Sequence, residues 1–310
     1  MLKFLSPFAS DISGAVSVLY EMGGITVICD AGGCTGNVCG FDETRTHIRS
    51  AVFSAGLRDM DAVMGCEDRL ADKIVRAYEQ IGGNFIALAG TPVPSLIALD
   101  MRYTAKVTAS RTGKPCIHIP STGTAYYDKG QEAAYLKLFS LAEGCKRRSG
   151  ETGIIGCTPL DTDVTADGSR LIFGMGSGFD EVMRAAGCER FTVVSPSGTA
   201  AAEYMKDRFG IPYDVGYPFD LPDVNPSGKV LVIHQQFAAN ALRERTGGDV
   251  ASPFMMLPDH MRDGDRKLRD EDDLRETVIG YDTVIADETY RRAVPDFSGK
   301  WIDFPHRAVR

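Results

Sequence analysis

Short apolar runs of strand length recur along the chain, separated by stretches with helical spacing. The runs are GITVICD (24–30), FIALAG (85–90), PCIHIP (115–120), TGIIGC (152–157), RLIFG (170–174), RFTVVS (190–195), KVLVIH (229–234), PFMML (253–257), DTVIAD (282–287) and KWIDFP (300–305). Between them, CEDRLADKIVRAYEQIGG puts Leu70, Ile74, Ala77, Tyr78 and Ile81 on one helical face and stops at Gly82-Gly83. TAAAEYMKDRFG stops at Gly210, and DEVMRAAG at Gly187. Near-continuous apolar strands alternating with amphipathic helices predict an α/β protein whose parallel sheets are covered on both faces. Segments rich in Gly, Pro and charge, GCKRRSGE (144–151) and FDLPDVNPSG (219–228), mark the breaks. Three α/β units follow, at 1–147, 148–226 and 227–310. HMRDGDRKLRDEDD (260–273) is expected to be a solvated loop or helix start.

With 310 residues the chain is long enough for a sizeable core, and 44% apolar against 25% charged residues is ordinary for a globular protein. A net charge of −8 argues against nucleic acid or an anionic membrane as partner. No apolar run approaches the ~20 residues of a membrane span, and Asp11 interrupts the N-terminal apolar stretch, so no signal peptide is read. A cytoplasmic protein is expected, with its eight cysteines as thiols or metal ligands.

The stretch CDAGGCTGNVC places Cys29, Cys34 and Cys39 at five-residue spacing around Gly32-Gly33. A strand entering a Gly-rich turn and then a helix exposes backbone N–H groups, which suit a cluster's charge and would lower a thiol's pKa. The spacing is not that of a zinc ribbon, which needs two close pairs. If 34–39 is helical, Cys39 points about 140° from Cys34, at ~100° per residue. An iron–sulfur cradle and a turn of buried cysteines both stand as readings.

The order of several segments is similar to that of the nitrogenase component 1 family, which includes nitrogenase subunits and dark-operative protochlorophyllide reductase. The residues that carry the likeness are Gly14-Ala15 and Gly33-Cys34 in DISGAVSVLYEMGGITVICDAGGCTG. DAVMGCEDRLADKI, FIALAGTPVPSLIALD, GKPCIHIPSTGTAYYDKGQEAAYLKL, TGIIGCTPLD, SPSGTAAAEYMKDRFGIPY and DDLRETVIGYDTVIAD follow in order. The resemblance implies three Rossmann-like units, a cytoplasmic oxidoreductase, and pairing as a homodimer or a heterodimer with a related chain. It also implies an iron–sulfur cluster, [4Fe–4S] by thiolate number with nuclearity open, and a separate P-loop iron–sulfur ATPase as electron donor. Of the family's three cluster cysteines only Cys34 has a counterpart; Ser10 and Thr91 or Pro92 hold the other positions, while Cys29, Cys39 and Cys66 are extra. The candidate metal and cofactor set is therefore Cys34, Cys29, Cys39 and Cys66, with two copies sharing ligands as one arrangement.

Further candidates end strands, where ligands bind in such sheets. His234, Asp161 and His306 are cleft candidates, with Asp163 beside Asp161. Cys157 and His306 loosely match the pair that holds the nitrogenase active-site cofactor. Ser195, Ser197, Gly198 and Thr199 read as a helix-capping turn with room for an anion. Cys116, Cys145 and Cys188 read as structural. Gly174, Gly176 and Gly178 imitate a dinucleotide fingerprint but are spaced GxGxG, and no P-loop is present. The function expected is relay of low-potential electrons to a substrate the sequence does not name. The alternative is a non-catalytic scaffold or carrier for metallocofactor assembly.

Overall fold

The structure, a computed structural model, describes residues 3–5, 8–146, 148–162 and 171–310. Its framework is three parallel sheets that share one winding rule. In the first, β1 (Ile25–Ile28) is central; α2 (Gly33–Asn37) leads to β2 (Ala51–Ser54) on one side. The chain then reverses through α3 (Asp59–Met64) and α4 (Glu67–Ile81) to β3 (Ile86–Ala89), and through α5 (Pro92–Leu96) and α6 (Met101–Thr112) to β4 (Cys116–Ile119). The order is β2-β1-β3-β4. The second sheet repeats the plan with β5 (Thr152–Ile155), β6 (Leu171–Ile172), β7 (Arg190–Val193) and β8 (Tyr213–Val215) in the order β6-β5-β7-β8. The third, β11-β10-β9-β12-β13, contains β9 (Val230–Ile233), β10 (Asp249–Ser252), β11 (Arg266–Lys267), β12 (Thr283–Ala286) and β13 (Lys300–Asp303). Helices α8 (Phe179–Met183) and α9 (Thr199–Phe209) belong to the second sheet, α10 (Gln236–Thr246) and α11 (Glu271–Val278) to the third. β1, β3, β9 and β12 are buried at every position, as the continuous apolar runs require.

One expected strand is displaced. PFMML (253–257) is irregular, and the strand is the preceding DVAS at 249–252, which pairs with β9. The acidic segment 260–273 holds the short β11 and the start of α11, capped by the Asp270 carboxylate, which accepts from the Asp273 N–H. In α4 the buried face is Leu70, Ala71, Ile74 and Val75, whereas Ile81, the last residue of the helix, is 48% exposed.

A helix pair ties the units together. α1 (Asp11–Leu19) and α7 (Tyr127–Phe139) touch backbone to backbone. A Cβ on Gly14 would lie 1.8 Å from the Tyr127 carbonyl oxygen, and one on Gly130 1.7 Å from that of Asp11. Val18 and Phe139 of this pair share a core with Phe85 of the first unit and Phe173, Phe191 and Met205 of the second. Tyr127 shares another with Leu231 and Phe254 of the third. All three units therefore lean on α7, and its first turn lies where they meet.

Candidate functional site

Because each sheet reverses its winding beside its central strand, the carboxyl ends of β1, β5 and β9 open onto crevices suited to ligands. At the end of β1 stand Cys29 and Asp30. Asp30 anchors the turn: its carboxylate accepts from the Thr35 N–H at 2.8 Å, the Thr35 hydroxyl at 3.0 Å and the Ser54 hydroxyl at 2.6 Å. Gly32 takes φ +121°, a conformation that glycine enters at least cost. Helix α2 then widens into a π-turn over Val38–Asp42.

The four candidate thiols part company here. Cys29 and Cys66 point into the apolar core of the first unit with Leu70, Ile74 and Leu88. Cys34 and Cys39 stay half-buried on the helical turn. Among the described residues no three Cys, His, Asp or Glu side chains come together as a metal site. Nor are the thiols activated. Burial, then Asp30, pushes Cys34 up; burial, Glu43 and Asp30 push Cys39 up. The expected lowering by the helix start is outweighed by desolvation and neighbouring carboxylates. Within one chain, Cys29, Cys34, Cys39 and Cys66 do not fit a cluster, which wants thiolates, normally four, on one face.

A buried cation fixes the next segment. Arg45 donates to Glu43 through Nε (2.8 Å) and Nη2 (2.7 Å), to Glu21 at 2.7 Å, to the Ser17 carbonyl at 2.6 Å and to the Gly174 carbonyl at 2.7 Å. The Gly176 N–H donates to Glu21 at 2.7 Å. The GMGSG turn is thus a clasp between the first two units. At Gly174, φ is +100° and the Tyr135 hydroxyl would lie 2.7 Å from any Cβ, so the glycine answers to packing.

The carboxyl ends of the second and third sheets meet at the first turn of α7. The Tyr127 hydroxyl donates to Asp161 Oδ1 at 2.7 Å and lies 3.0 Å from His306 Nε2. Gln131 Nε2 donates to Asp161 Oδ2 at 2.8 Å, and its Oε1 accepts from the Ser197 hydroxyl at 2.8 Å. His306 stacks on His234, ring centroids 4.1 Å apart, and His234 Nε2 donates to the Pro305 carbonyl at 3.2 Å. Nδ1 of both histidines is buried with no hydrogen-bond partner among the described residues. Burial pushes the Asp161 carboxyl up to about 7. Burial pushes His234 down to about 4 and His306 well below its usual value.

The Cys157 thiol meets the Met175 sulfur at 3.4 Å, and His306 Nε2 lies 3.0 Å from the Tyr127 hydroxyl. Ser195 accepts from the Ser197 N–H to cap a short 3-10 turn, and Ser197 and Gly198 are buried before α9 begins. Cys188 is buried and Cys116 half-buried, whereas Cys145 is exposed, its thiol donating to the Arg184 carbonyl at 3.4 Å. Asp163 lies outside the described residues.

The model of the nitrogenase component 1 type oxidoreductase family matches residues 10–227, more than half of the chain. The chain belongs to that family. Two solved structures described as nitrogenase Cp1, at pH 6.5 and at pH 5, share the fold. Their TM-scores are 0.73 and 0.72 at 10% and 12% identity, over 99% of this chain and 87% and 85% of theirs. No curated protein gives a match. The family is one of oxidoreductases, and no helix among the described residues is long and apolar enough to cross a membrane.

Sequence reasoning missed Tyr127, Gln131 and Arg45. A signal existed for two of them. Tyr127 and Gln131 are four apart at a helix start and so share a face, in a segment otherwise read only for its likeness to the family. Arg45 lies in an irregular stretch with no periodicity to mark it.

Proposed function

We propose that this family member is an electron-accepting reductase component that works as a pair of like or related chains. Electrons enter at the Cys34 turn, and a substrate is reduced at the junction of the three units. The observation that carries the reading is the surface around Cys34. Phe41, Met60, Val63, Met64 and Leu96, 60–84% exposed, all follow the carboxyl ends of β1, β2 and β3, the edge on which the half-buried Cys34 and Cys39 sit. So many exposed apolar side chains on one edge suit a covered surface. Two copies meeting there would offer Cys34 and Cys39 twice, the four thiolates that one chain lacks. A [4Fe–4S] cluster held so would supply one-electron chemistry. The donor in this reading is a P-loop iron–sulfur ATPase docking on the same edge, the setting is cytoplasmic, and 1–147, 148–226 and 227–310 are the domains.

The test is anaerobic purification with iron and acid-labile sulfide analysis alongside light scattering. The reading expects both elements in similar amounts on a dimer, their loss in Cys34→Ser, and their retention in Cys188→Ser. Full iron occupancy in the Cys34 variant, or a monomer with the cluster intact, refutes the shared site. Cluster reduction by the donor should require ATP.

One observation favours the second reading, a scaffold or carrier for a metallocofactor. Cys34 and Cys39 are held toward the protonated form by burial and by Asp30 and Glu43, which suits cargo that is released rather than a permanent cluster. Transfer of bound iron to an acceptor protein, without substrate-linked oxidation, would select it.

A further inference from the structure

The line Asp161–Tyr127–His306 draws one residue from the second sheet's loops, one from α7 and one from the third sheet's last loop. Its two hydrogen bonds admit two proton arrangements. In the first, Asp161 is a carboxylate, Tyr127 donates to it, and His306 carries its proton on Nε2 and donates to the Tyr127 oxygen. His306 Nδ1 is then a bare lone pair. In the second, Asp161 is a carboxylic acid donating to the Tyr127 oxygen, Tyr127 donates to His306 Nε2, and the histidine proton sits on Nδ1. Both leave His306 neutral; they differ by one proton.

We infer that Asp161, Tyr127 and His306 form a proton relay that delivers at His306 Nδ1, beside His234, to a group held at the junction of the units. In discharge the Nδ1 proton leaves to the acceptor. The Tyr127 proton moves to His306 Nε2, the Asp161 proton moves to Tyr127, and Asp161 ends as the carboxylate. One proton leaves, and no electron moves within the relay.

The surroundings suit both states. Gln131 donates to Asp161 Oδ2 whichever form the carboxyl takes, which directs the acid proton to Oδ1 and Tyr127. Among the described residues the groups facing Asp161 are Tyr127, Asp128, Tyr135 and Gln131 of α7 and Cys157 and Thr158 of its own loop, with no cation among them in hydrogen-bonding reach. His306 faces His234, Tyr127 and Phe254, and its backbone N–H is held by Asp287 at 2.8 Å. The value near 7 for Asp161 places the two states within reach of each other at neutral pH. The Nδ1 atoms of His306 and His234, which have no hydrogen-bond partner among the described residues, are where an acceptor would meet the line. Only the identity of the proton's consumer rests on the reductase reading above.

The experiment is nitrogen NMR of the whole protein labelled at histidine, with His306→Gln assigning the resonance among five histidines. The relay expects His306 to pass from the Nδ1–H to the Nε2–H tautomer as pH rises through about 6 to 8, centred on Asp161. Asp161→Asn, whose amide oxygen takes the Gln131 donor and whose NH2 faces Tyr127 like the acid proton, should hold it in the Nδ1–H form throughout, and Tyr127→Phe should uncouple it from Asp161. One tautomer from pH 5 to 9 in the native protein overturns the relay, as does an unchanged switch in Asp161→Asn. If that variant does not fold, the native titration decides. A protein that switches tautomer yet accepts no electrons refutes the reductase reading and leaves the relay standing.

Discussion

Replacing Asp161 by Asn separates the two opposed titrations buried at the junction. Asp161 is buried with no cation bonded to it among the described residues, and its carboxyl is raised from 3.8 to about 7. Between pH 4 and 7 the unfolded chain has lost that proton and the native protein keeps it, so native stability falls as pH rises through this window and is level outside it. Three units at ~1.36 kcal/mol each set the fall at about 4 kcal/mol. The histidines work the other way. His234, pushed down to about 4, stays neutral in the native state while the unfolded chain binds a proton, so its contribution rises between about pH 4 and 6.5; His306 acts in the same direction. Urea unfolding of native and Asp161→Asn proteins, followed by circular dichroism at intervals from pH 4 to 8, isolates the carboxyl in the difference curve. Measured against the variant, the native protein should stand about 4 kcal/mol better at pH 4 than at pH 8, and the variant, freed of the carboxyl, should show the full histidine gain with rising pH. Difference curves level to within about 0.5 kcal/mol would mean that Asp161 is ionised throughout and that the buried-acid argument fails.

Other perturbations test the frame around the site. Gly14→Ala drives a methyl to 1.8 Å from the Tyr127 carbonyl oxygen; overpacking of about 3 kcal/mol less ~1 kcal/mol of helix propensity leaves a net loss of about 2 kcal/mol, read as a lowered urea midpoint. Arg45→Met strands Glu43 and Glu21 and frees the Gly174 turn, which should cost about 3–5 kcal/mol, with part regained in the double variant Arg45→Met, Glu43→Gln. Ala98 is the one non-glycine among the described residues in the left-handed region, φ 54°. Ala98→Gly should raise the melting temperature through about 0.5–1 kcal/mol of relieved strain, less the entropy of the freer unfolded chain.

Local physics made the frame legible in the sequence. Continuous apolar runs such as those at 24–30 and 282–287 have one stable home, the interior of a parallel sheet, and Gly82 and Gly210 end helices wherever they occur. The likeness to the family rests on particular motifs in order, Gly14-Ala15 and Gly33-Cys34 first among them, which the alternation of strands and helices does not supply. DVAS escaped notice because its small and polar residues resemble a loop, and only pairing with β9 makes it a strand. The thiols show the limit most plainly. The spacing of Cys29, Cys34 and Cys39 is visible in the chain, but the pleat of β1 and the turn at Gly32 send Cys29 into the core and leave Cys34 half-buried. The relay lies further from view, because Tyr127 and His306 are 179 residues apart and meet only when three sheets close on one helix. Periodicity is a property of neighbours in sequence, whereas the burial that raises Asp161 and lowers two histidines belongs to neighbours in space.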